Sequence, residues 1–262
     1  MATVQTIYDF VKTLAPETMA YEDDSIGLLC GRAGKSVRRI LIALDVSAAS
    51  CAEAKALGCE LLVTHHPALR RLSAVSDTSA MGANLLFLAE NGIAAVNAHT
   101  NLDCAPGGVN DCLAAALGLS GVCVLDPTGV DENGRAYGLL RGGSLPETEP
   151  EVFAAAVKKA LGCEGLRYAS GGQAITKVAV GGGSCADFLG RVAALGYQAF
   201  VTADVKYHTF CEAAFLGVTL IDAGHFETEN PVCAYLVREL AAAFPDIAVF
   251  LSKTHADCTK FL

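Results

Sequence analysis

The stretch RILIALDVSAASCAEAKALGCELLVTHH, residues 39–66, decides the fold class of this chain. Its two ends are apolar runs that predict buried strands. The segment between them predicts a helix, because Ser47 is a favourable N-cap and Gly58 a favourable C-terminal residue. Strands and helices alternate in the same way along most of the remaining chain, a pattern typical of α/β proteins. We therefore expect an α/β fold.

The same pattern returns in the second half. KVAVGGGSCADFLGRVAALGYQAFVTAD, residues 177–204, aligns with residues 39–66 without a gap, and GVTLIDAGHFETE from Gly217 resembles GIAAVNAHTNLD from Gly92. A duplicated strand-helix-strand unit predicts two pseudo-symmetric α/β lobes, with a metal site between them. We place the first lobe at residues 1–123 and the second at 124–262, which includes an irregular connecting segment at 124–176.

Composition excludes several classes of protein. The formal net charge of −9 disfavours a protein that binds nucleic acid through broad phosphate contacts. The eleven cysteines contain no CxxC pair, and the first residues lack the basic and apolar segments of a secretory signal, so a cytoplasmic protein with reduced thiols is expected. No apolar stretch reaches about 18 residues, which argues against a membrane protein.

Two adjacent histidines, His65 and His66, follow the predicted strand that ends at Thr64. Within a strand, neighbouring side chains point to opposite faces of the sheet. Pro67 marks the end of this strand, because proline cannot donate to a sheet ladder. Both imidazoles are therefore free to turn toward one cavity.

Each half of the repeat also contains a histidine four residues before a carboxylate: His99 with Asp103, and His225 with Glu229. Ligands of open α/β sheets collect at the carboxyl ends of the strands, where these residues are predicted. Imidazole and carboxylate groups are ligands of Zn, Fe, Mn, Co and Ni. A pair of such ions bridged by a carboxylate activates water, which suits hydrolysis. A lone histidine is more often structural, and we assign His255 to that class.

Several motifs resemble the NIF-three-like family of dinuclear metal-centre proteins, also described as type 2 homologues of GTP cyclohydrolase I. The motifs occur in family order between about residue 21 and residue 262: YEDDSIGLLCG, ALDVS, LLVTHHP, AHTNLDCAPGGVNDCLAAALGL, GGGS, FVTADVKYH and LIDAGHFETE. The resemblance implies a subunit of two α/β lobes, assembled as a homohexameric ring. It also implies two divalent metal ions per subunit, of unknown identity, with these ligands: His65, His66, Asp103, His225 and Glu229, the last shared by both ions.

The chain departs from the family pattern at two places. Family members commonly have Trp-Asp-Asn where this chain has Asp23-Asp24-Ser25, and a glycine where it has Ala203. Neither position is one of the implied ligands. The missing tryptophan bears on what is bound near the site rather than on the metal ions.

Other polar residues near the implied ligands are candidates for catalysis. His99 is predicted to support the ligands from outside the ligand set or to face a substrate, in preference to a purely structural role. Lys206 and His208 could hold an anionic substrate or transfer a proton, although solvated loop residues of these types are equally common. Arg70 and Arg71 add positive charge for an anionic substrate. The GGGS segment at 181–184 precedes a predicted helix, where glycine-rich loops can bind phosphate, but a tight turn is the simpler interpretation.

Two functional hypotheses follow. The first is a metal-dependent hydrolase that acts on a nucleotide-like or phosphorylated small molecule, with the GTP cyclohydrolase reaction as one candidate. The second is a non-catalytic metal-binding ring that regulates or binds other proteins. The cationic residues near the implied ligands favour the first, because a metal store does not need them.

Overall fold

The computed structural model describes residues 1–71 and 74–262. Its strands are β1 (Gly27–Cys30), β2 (Arg39–Ala43), β3 (Leu61–Thr64), β4 (Ala94–Asn97), β5 (Ser120–Leu125), β6 (Gly129–Val130), β7 (Ala136–Tyr137), β8 (Leu140–Thr148), β9 (Arg167–Ala169), β10 (Ile175–Val180), β11 (Ala199–Thr202), β12 (Thr219–Asp222) and β13 (Ala248–Leu251). Its α-helices are α1 (Val4–Leu14), α2 (Ala48–Ala56), α3 (Ala80–Glu90), α4 (Thr100–Cys104), α5 (Val109–Ala116), α6 (Pro150–Leu161), α7 (Leu189–Ala194), α8 (Tyr207–Leu216), α9 (His225–Glu229) and α10 (Pro231–Ala243).

The chain divides into two compact units. Unit 1 consists of Met1–Ala105 and Cys233–Ala256, and unit 2 consists of Pro106–Val232 and Asp257–Leu262. This division differs from the predicted one at residue 123, because α5 and β5 belong to the second unit and a late segment of the chain returns to the first.

Unit 1 is built on a five-stranded sheet in the order β1-β4-β3-β2-β13. The pairs β13–β2, β2–β3 and β3–β4 are parallel, and β1 is antiparallel to β4. All four residues of β3 are buried, as expected for a central parallel strand covered on both faces. Thr64 pairs with Asn97, so β3 and β4 end at the same edge of the sheet. The residues that follow both strands therefore emerge side by side.

Unit 2 is built on a six-stranded sheet in the order β5-β8-β10-β11-β12-β9. Its central strands β10, β11 and β12 are parallel, and Thr202 of β11 pairs with Asp222 of β12. These three strands repeat the β2-β3-β4 arrangement of unit 1. The predicted α/β class with a duplicated strand-helix-strand motif is thus confirmed.

The helix predicted between the first two repeat strands is also present. Ser47 caps α2 by accepting a hydrogen bond from the backbone N–H of Ser50, whose side chain in turn accepts from Ser47 N–H. This reciprocal pair is a capping box with serine in place of the usual glutamate. Gly58 follows the helix with φ +65°, a conformation that favours glycine.

The longest helix among residues 1–71 and 74–262 is α10, which has 13 residues. No helix in these ranges is long and apolar enough to cross a membrane.

His255 lies in unit 1 and links the C-terminal segment to the sheet. Its Nδ1 accepts a hydrogen bond from the backbone N–H of Leu44 at 3.1 Å. Burial lowers the pKa of His255, while the charges of Asp45 and Glu53 oppose this effect. A neutral imidazole is required here, because a protonated Nδ1 cannot accept the Leu44 hydrogen bond.

We predict that acid destabilises the protein partly through His255. Its pKa is lower in the folded than in the unfolded chain, so the unfolded chain binds the proton more readily and the contribution to stability is lost as the pH falls below about 6.5. Asparagine at this position keeps an acceptor but does not titrate. Urea unfolding at pH 7.5 and 5.5 should therefore show a smaller pH-dependent shift of the midpoint for His255→Asn than for wild type; equal shifts would contradict the assignment.

Candidate metal centre

The two adjacent histidines lie directly after β3. The chain turns there, because the His66 N–H donates to Leu44 O at 2.9 Å and the Thr64 hydroxyl donates to His66 O at 2.7 Å. The centroids of the two imidazole rings are 5.0 Å apart. His65 is fully buried and His66 is half-buried. Both rings have thus turned to one side, as the strand ending at Thr64 allows.

The first HxxxD motif spans one helical turn. His99 is the N-cap of α4 and Asp103 lies within that helix. The Asp103 carboxylate is buried, and its Oδ1 lies 3.5 Å from Nε2 of His65. Unit 1 therefore brings a buried imidazole nitrogen and a buried carboxylate oxygen together at the edge formed by β3 and β4.

Each of the two adjacent histidines is held through its Nδ1. His65 Nδ1 lies 2.9 Å from Ala98 O, and His66 Nδ1 lies 2.7 Å from Asp45 Oδ1. A carbonyl or carboxylate oxygen accepts hydrogen bonds, so the proton of each ring is on Nδ1. In a neutral ring with its proton on Nδ1, the lone pair is on Nε2, which is the form in which imidazole binds a metal ion.

His99 is oriented in the same way. Its Nδ1 lies 2.7 and 2.9 Å from the two carboxylate oxygens of Asp24, which also accepts from the N–H and hydroxyl of Thr100. Three imidazoles approach one another here: one ring nitrogen from each lies within 4.8 Å of the other two, in His65, His66 and His99. The exposed Arg70 lies 3.4 Å from His99 Nε2 through its Nη2.

Burial and hydrogen bonding set the protonation states of His99 and Asp24. Burial lowers the pKa of His99 against the opposing effect of the Asp24 hydrogen bond, and the neighbouring histidines lower the pKa further. Burial by itself raises the pKa of Asp24, but the hydrogen bonds from His99 and Thr100 outweigh it and hold that pKa far below its usual range. A neutral His99 beside an ionised Asp24 follows.

The second motif spans the short helix α9 in unit 2. His225 Nε2 lies 3.2 Å from Glu229 Oε2, and His225 Nδ1 lies 2.7 Å from Asp204 Oδ2. The hydrogen bond with Glu229 raises the pKa of His225 to about 9; burial opposes this rise, and Asp204 adds to it. A metal ion would compete with this proton for Nε2.

The GGGS segment packs against the helix that carries His225 and Glu229. Gly183 has φ +63°, and its N–H donates to the Thr228 hydroxyl at 3.0 Å. A Cβ atom added to Gly183 would lie 2.2 Å from Oε1 of Glu229 and 3.1 Å from Nε2 of His225. The turn therefore leaves a space that the Glu229 carboxylate fills, which glycine alone permits.

The other predicted candidates are at the surface of unit 2. Lys206 is the N-cap of α8, and His208 lies in the first turn of that helix, where its ring contacts Tyr207. Both side chains are exposed, as is Arg71 in unit 1. Unlike His99, none of the three has a described contact with an implied ligand.

Sequence reasoning missed the residues that hold the outer nitrogens: Asp24, Asp45 and Asp204. All three were present in the motifs YEDDSIGLLCG, ALDVS and FVTADVKYH. For Asp45 and Asp204 the available signal was a carboxylate within two residues of a strand end, whereas Asp24 precedes β1. The histidine that each aspartate contacts is distant in sequence, however, and is identified only once the sheet is assembled.

The donor atoms fit divalent metal ions. Unit 1 presents Nε2 of His65 beside a carboxylate oxygen, and unit 2 presents Nε2 of His225 beside another. Nitrogen and oxygen ligands of this kind suit Zn and the neighbouring transition metals. The outer nitrogens are already bonded to protein acceptors, which is the usual arrangement for metal-binding histidines.

Comparison with known proteins agrees with these features. The family model described as Duf34/NIF3 (NGG1p interacting factor 3) matches residues 2–258. A Clostridium perfringens protein named GTP cyclohydrolase 1 type 2 homolog is 32% identical over 262 residues, covering 98% of each chain. A Streptomyces coelicolor protein of the same name is 36% identical over 267 residues, covering 98% of this chain and 93% of its own.

A solved structure extends the likeness to the fold. The Bacillus cereus protein related to NIF3 superposes with a TM-score of 0.94 at 25% identity, covering 100% of this chain and 99% of its own. The matched residues include both HxxxD/E motifs and the paired histidines. On these grounds the chain belongs to the Duf34/NIF3 family.

Proposed function

We propose that the protein binds two divalent metal ions and uses them to hydrolyse a nucleotide-like or phosphorylated small molecule. The five proposed ligands are His65, His66, Asp103, His225 and Glu229, with Glu229 shared by both ions. The observation that carries the proposal is that each unit places an imidazole nitrogen beside a carboxylate oxygen, 3.5 Å apart for His65 and Asp103 and 3.2 Å apart for His225 and Glu229. Ligands at equivalent strand ends in both repeats are not required by packing.

The ions would supply Lewis acidity and lower the pKa of a water molecule toward neutrality. The chain's own residues would bind and orient the substrate. We assign His99 to proton transfer at Nε2, because Asp24 holds its Nδ1 and burial keeps it neutral. His208 is the alternative proton carrier, and Lys206 would contact an anionic group of the substrate.

The names of the relatives bear on which reactions to test. Proteins named GTP cyclohydrolase 1 type 2 homolog are similar over nearly the whole chain. We therefore include opening of the GTP imidazole ring by water, with release of formate, beside phosphate ester hydrolysis in a substrate panel. A substrate that is turned over should lose its turnover on chelation and recover it to different degrees with Mn, Co or Zn.

A fully metallated protein that turns over no member of a broad panel would contradict the hydrolase proposal. The regulatory ring would then be the better hypothesis. Thiol alkylation distinguishes a further mechanism, since a cysteine nucleophile would be blocked while water activated by metal would not. Cys104, beside Asp103, should be changed to serine in that experiment so that a bulky adduct does not enter the site.

We predict that Glu229→Ala loses most of the bound metal. Removing the shared carboxylate deprives each ion of a ligand and leaves two positive centres without a negative group between them. Elemental analysis of protein purified without chelators measures the loss. His255→Asn serves as the control and should keep wild-type metal content; full retention of both ions by Glu229→Ala would refute the bridging role.

We predict that Gly183→Ala also loses metal, because its methyl group would occupy the space of the Glu229 carboxylate. Gly196→Ala is a matched control: Gly196 has φ +74°, so the backbone cost is similar, but no atom lies within 4 Å of the added Cβ. The unfolding temperature should fall in both variants, and further in Gly183→Ala because the added methyl group also meets the Glu229 carboxylate, whereas elemental analysis should show metal loss only in Gly183→Ala. Equal metal content in the two would show that the contact with Glu229 is unimportant.

We propose, from the family resemblance, that the chain forms a closed homohexamer. Oligomers of identical chains close by symmetry rather than grow as filaments. Light scattering should give roughly six times the chain mass of 27.1 kDa. A monomer at micromolar concentration would contradict this assembly.

A further inference from the structure

Two carboxylates outside the proposed ligand set contact the outer nitrogens of two proposed ligands. Asp45 Oδ1 lies 2.7 Å from His66 Nδ1, and Asp204 Oδ2 lies 2.7 Å from His225 Nδ1. These distances are in the short range typical of hydrogen bonds to a charged acceptor. Asp45 belongs to unit 1 and Asp204 to unit 2, so each unit contains one such contact, although the two aspartates are not repeat-equivalent, because Asp204 aligns with His66.

The backbone places both carboxylates at strand ends. Asp45 lies two residues beyond the end of β2, and its carbonyl accepts from the Ser50 hydroxyl at 2.9 Å, which ties it to the start of α2. Asp204 lies two residues beyond β11 and has φ +53°, a left-handed conformation that few residues other than glycine adopt. Aspartate and asparagine tolerate this conformation better than other side chains, so the position favours a short polar side chain.

Neither carboxylate contributes to a core. The side chain of Asp45 is 46% exposed and that of Asp204 is 52% exposed. Surface substitutions away from caps and cores usually change stability little. Their histidine contacts are therefore better explained by an effect on the histidine than by a contribution to folding.

We propose that Asp45 and Asp204 are positioning residues of the metal centre, which hold His66 and His225 with the proton on Nδ1 and direct each Nε2 lone pair toward an ion. This inference rests on the proposed function, because it assigns the two histidines to metal binding. The carboxylate also makes the imidazole a stronger donor to the metal, since negative charge beyond Nδ1–H stabilises positive charge transferred to the ring. Loss of such a partner typically lowers metal affinity about 10- to 100-fold.

The chain contains a matched comparison. Asp24 makes the same contact with His99 Nδ1, also at 2.7 Å, but His99 is not among the five proposed ligands. Asp24→Asn thus alters a similar carboxylate–imidazole contact at a histidine that is not proposed to bind metal, although Asp24 also accepts from the N–H and hydroxyl of Thr100. The inference requires this variant to keep wild-type metal affinity.

The experiment compares Asp45→Asn, Asp204→Asn and Asp24→Asn with wild type. Asparagine keeps the shape of the side chain and tolerates the left-handed backbone of Asp204. Its NH₂ group can donate to Nδ1 and so favour the tautomer with the proton on Nε2, which cannot bind metal. Each protein is stripped of metal and titrated with Zn²⁺ in competition with a chromophoric chelator. We expect an affinity about 10- to 100-fold weaker for Asp45→Asn and Asp204→Asn, and no change for Asp24→Asn.

A second readout separates positioning from loss of structure. Long-range ¹H–¹⁵N NMR spectra of the stripped proteins report which ring nitrogen carries the proton. The His66 signal should move toward the Nε2–H form in Asp45→Asn only, while far-UV circular dichroism and the unfolding midpoint stay at wild-type values. A change of metal affinity that appears only with a lowered unfolding midpoint would overturn the positioning role.

The remaining outcomes are also decisive. Wild-type protein that takes up no ion would refute the proposed function and this inference with it. Wild-type protein that binds metal, together with undiminished affinity in both Asp45→Asn and Asp204→Asn, would refute the inference alone. An equal loss in Asp24→Asn would show that the effect does not depend on the proposed ligands, and the selective role would be wrong.

Discussion

Parallel pairing of neighbouring strands is the constraint on which the rest of the structure depends. In unit 1, the pairing of Thr64 with Asn97 makes β3 and β4 end at one edge; in unit 2, the pairing of Thr202 with Asp222 does the same for β11 and β12. A shift of register by one residue would turn every side chain of a strand to the other face of its sheet. Both faces of the central strands are buried, so a shifted strand would place side chains of the wrong size and shape in each closely packed layer of the core. The precision of the site thus comes from the hydrophobic packing of the strands behind it.

Short helices that follow the strand ends bring the proposed ligands together. Residues four apart in a helix lie on the same face, so a histidine at the start of α9 meets the carboxylate at its end. In unit 1, His99 stands at the same place before α4, but Asp103 lies against His65 rather than against His99, its partner in the HxxxD motif. The duplicated framework has therefore diverged in its contacts. His99, freed from Asp103, is held instead by Asp24, which comes from a different part of the chain.

The sequence predicted the framework well because the framework is repeated and locally encoded. The apolar runs, the Ser47 cap and the terminal Gly58 identify β2, α2 and β3 without knowledge of the tertiary fold. The paired histidines and both HxxxD/E motifs were also found from local spacing. Contacts between residues distant in sequence were not found in this way. The return of residues 233–256 to the first unit depends on pairing of β13 with β2, which is separated from it by some two hundred residues and carries no local signal.

Asp24 and Gly183 were missed for the same reason. Asp24 lay in a motif that departs from the family pattern, and only the folded chain shows its contact with His99. Gly183 was interpreted as part of a tight turn, which its φ of +63° supports, but the Glu229 carboxylate that lies against it is 46 residues away. Local propensity reports a backbone conformation; it does not report which side chain uses the space that glycine leaves.

The half-exposed position of Asp45 and Asp204 has a consequence for how such a centre changes over evolutionary time. Substitution of a buried residue in the proposed ligand set, such as His65, would remove a coordinating atom in one step. A residue at the surface that acts on the ligand from behind can instead be replaced with little effect on the core, and each replacement alters the donor strength of one imidazole by a modest amount. Metal preference can then drift among the divalent transition metals in small increments while the ligands themselves stay the same. Asp45 and Asp204 are therefore the positions at which substitution would adjust metal preference without removing a proposed ligand.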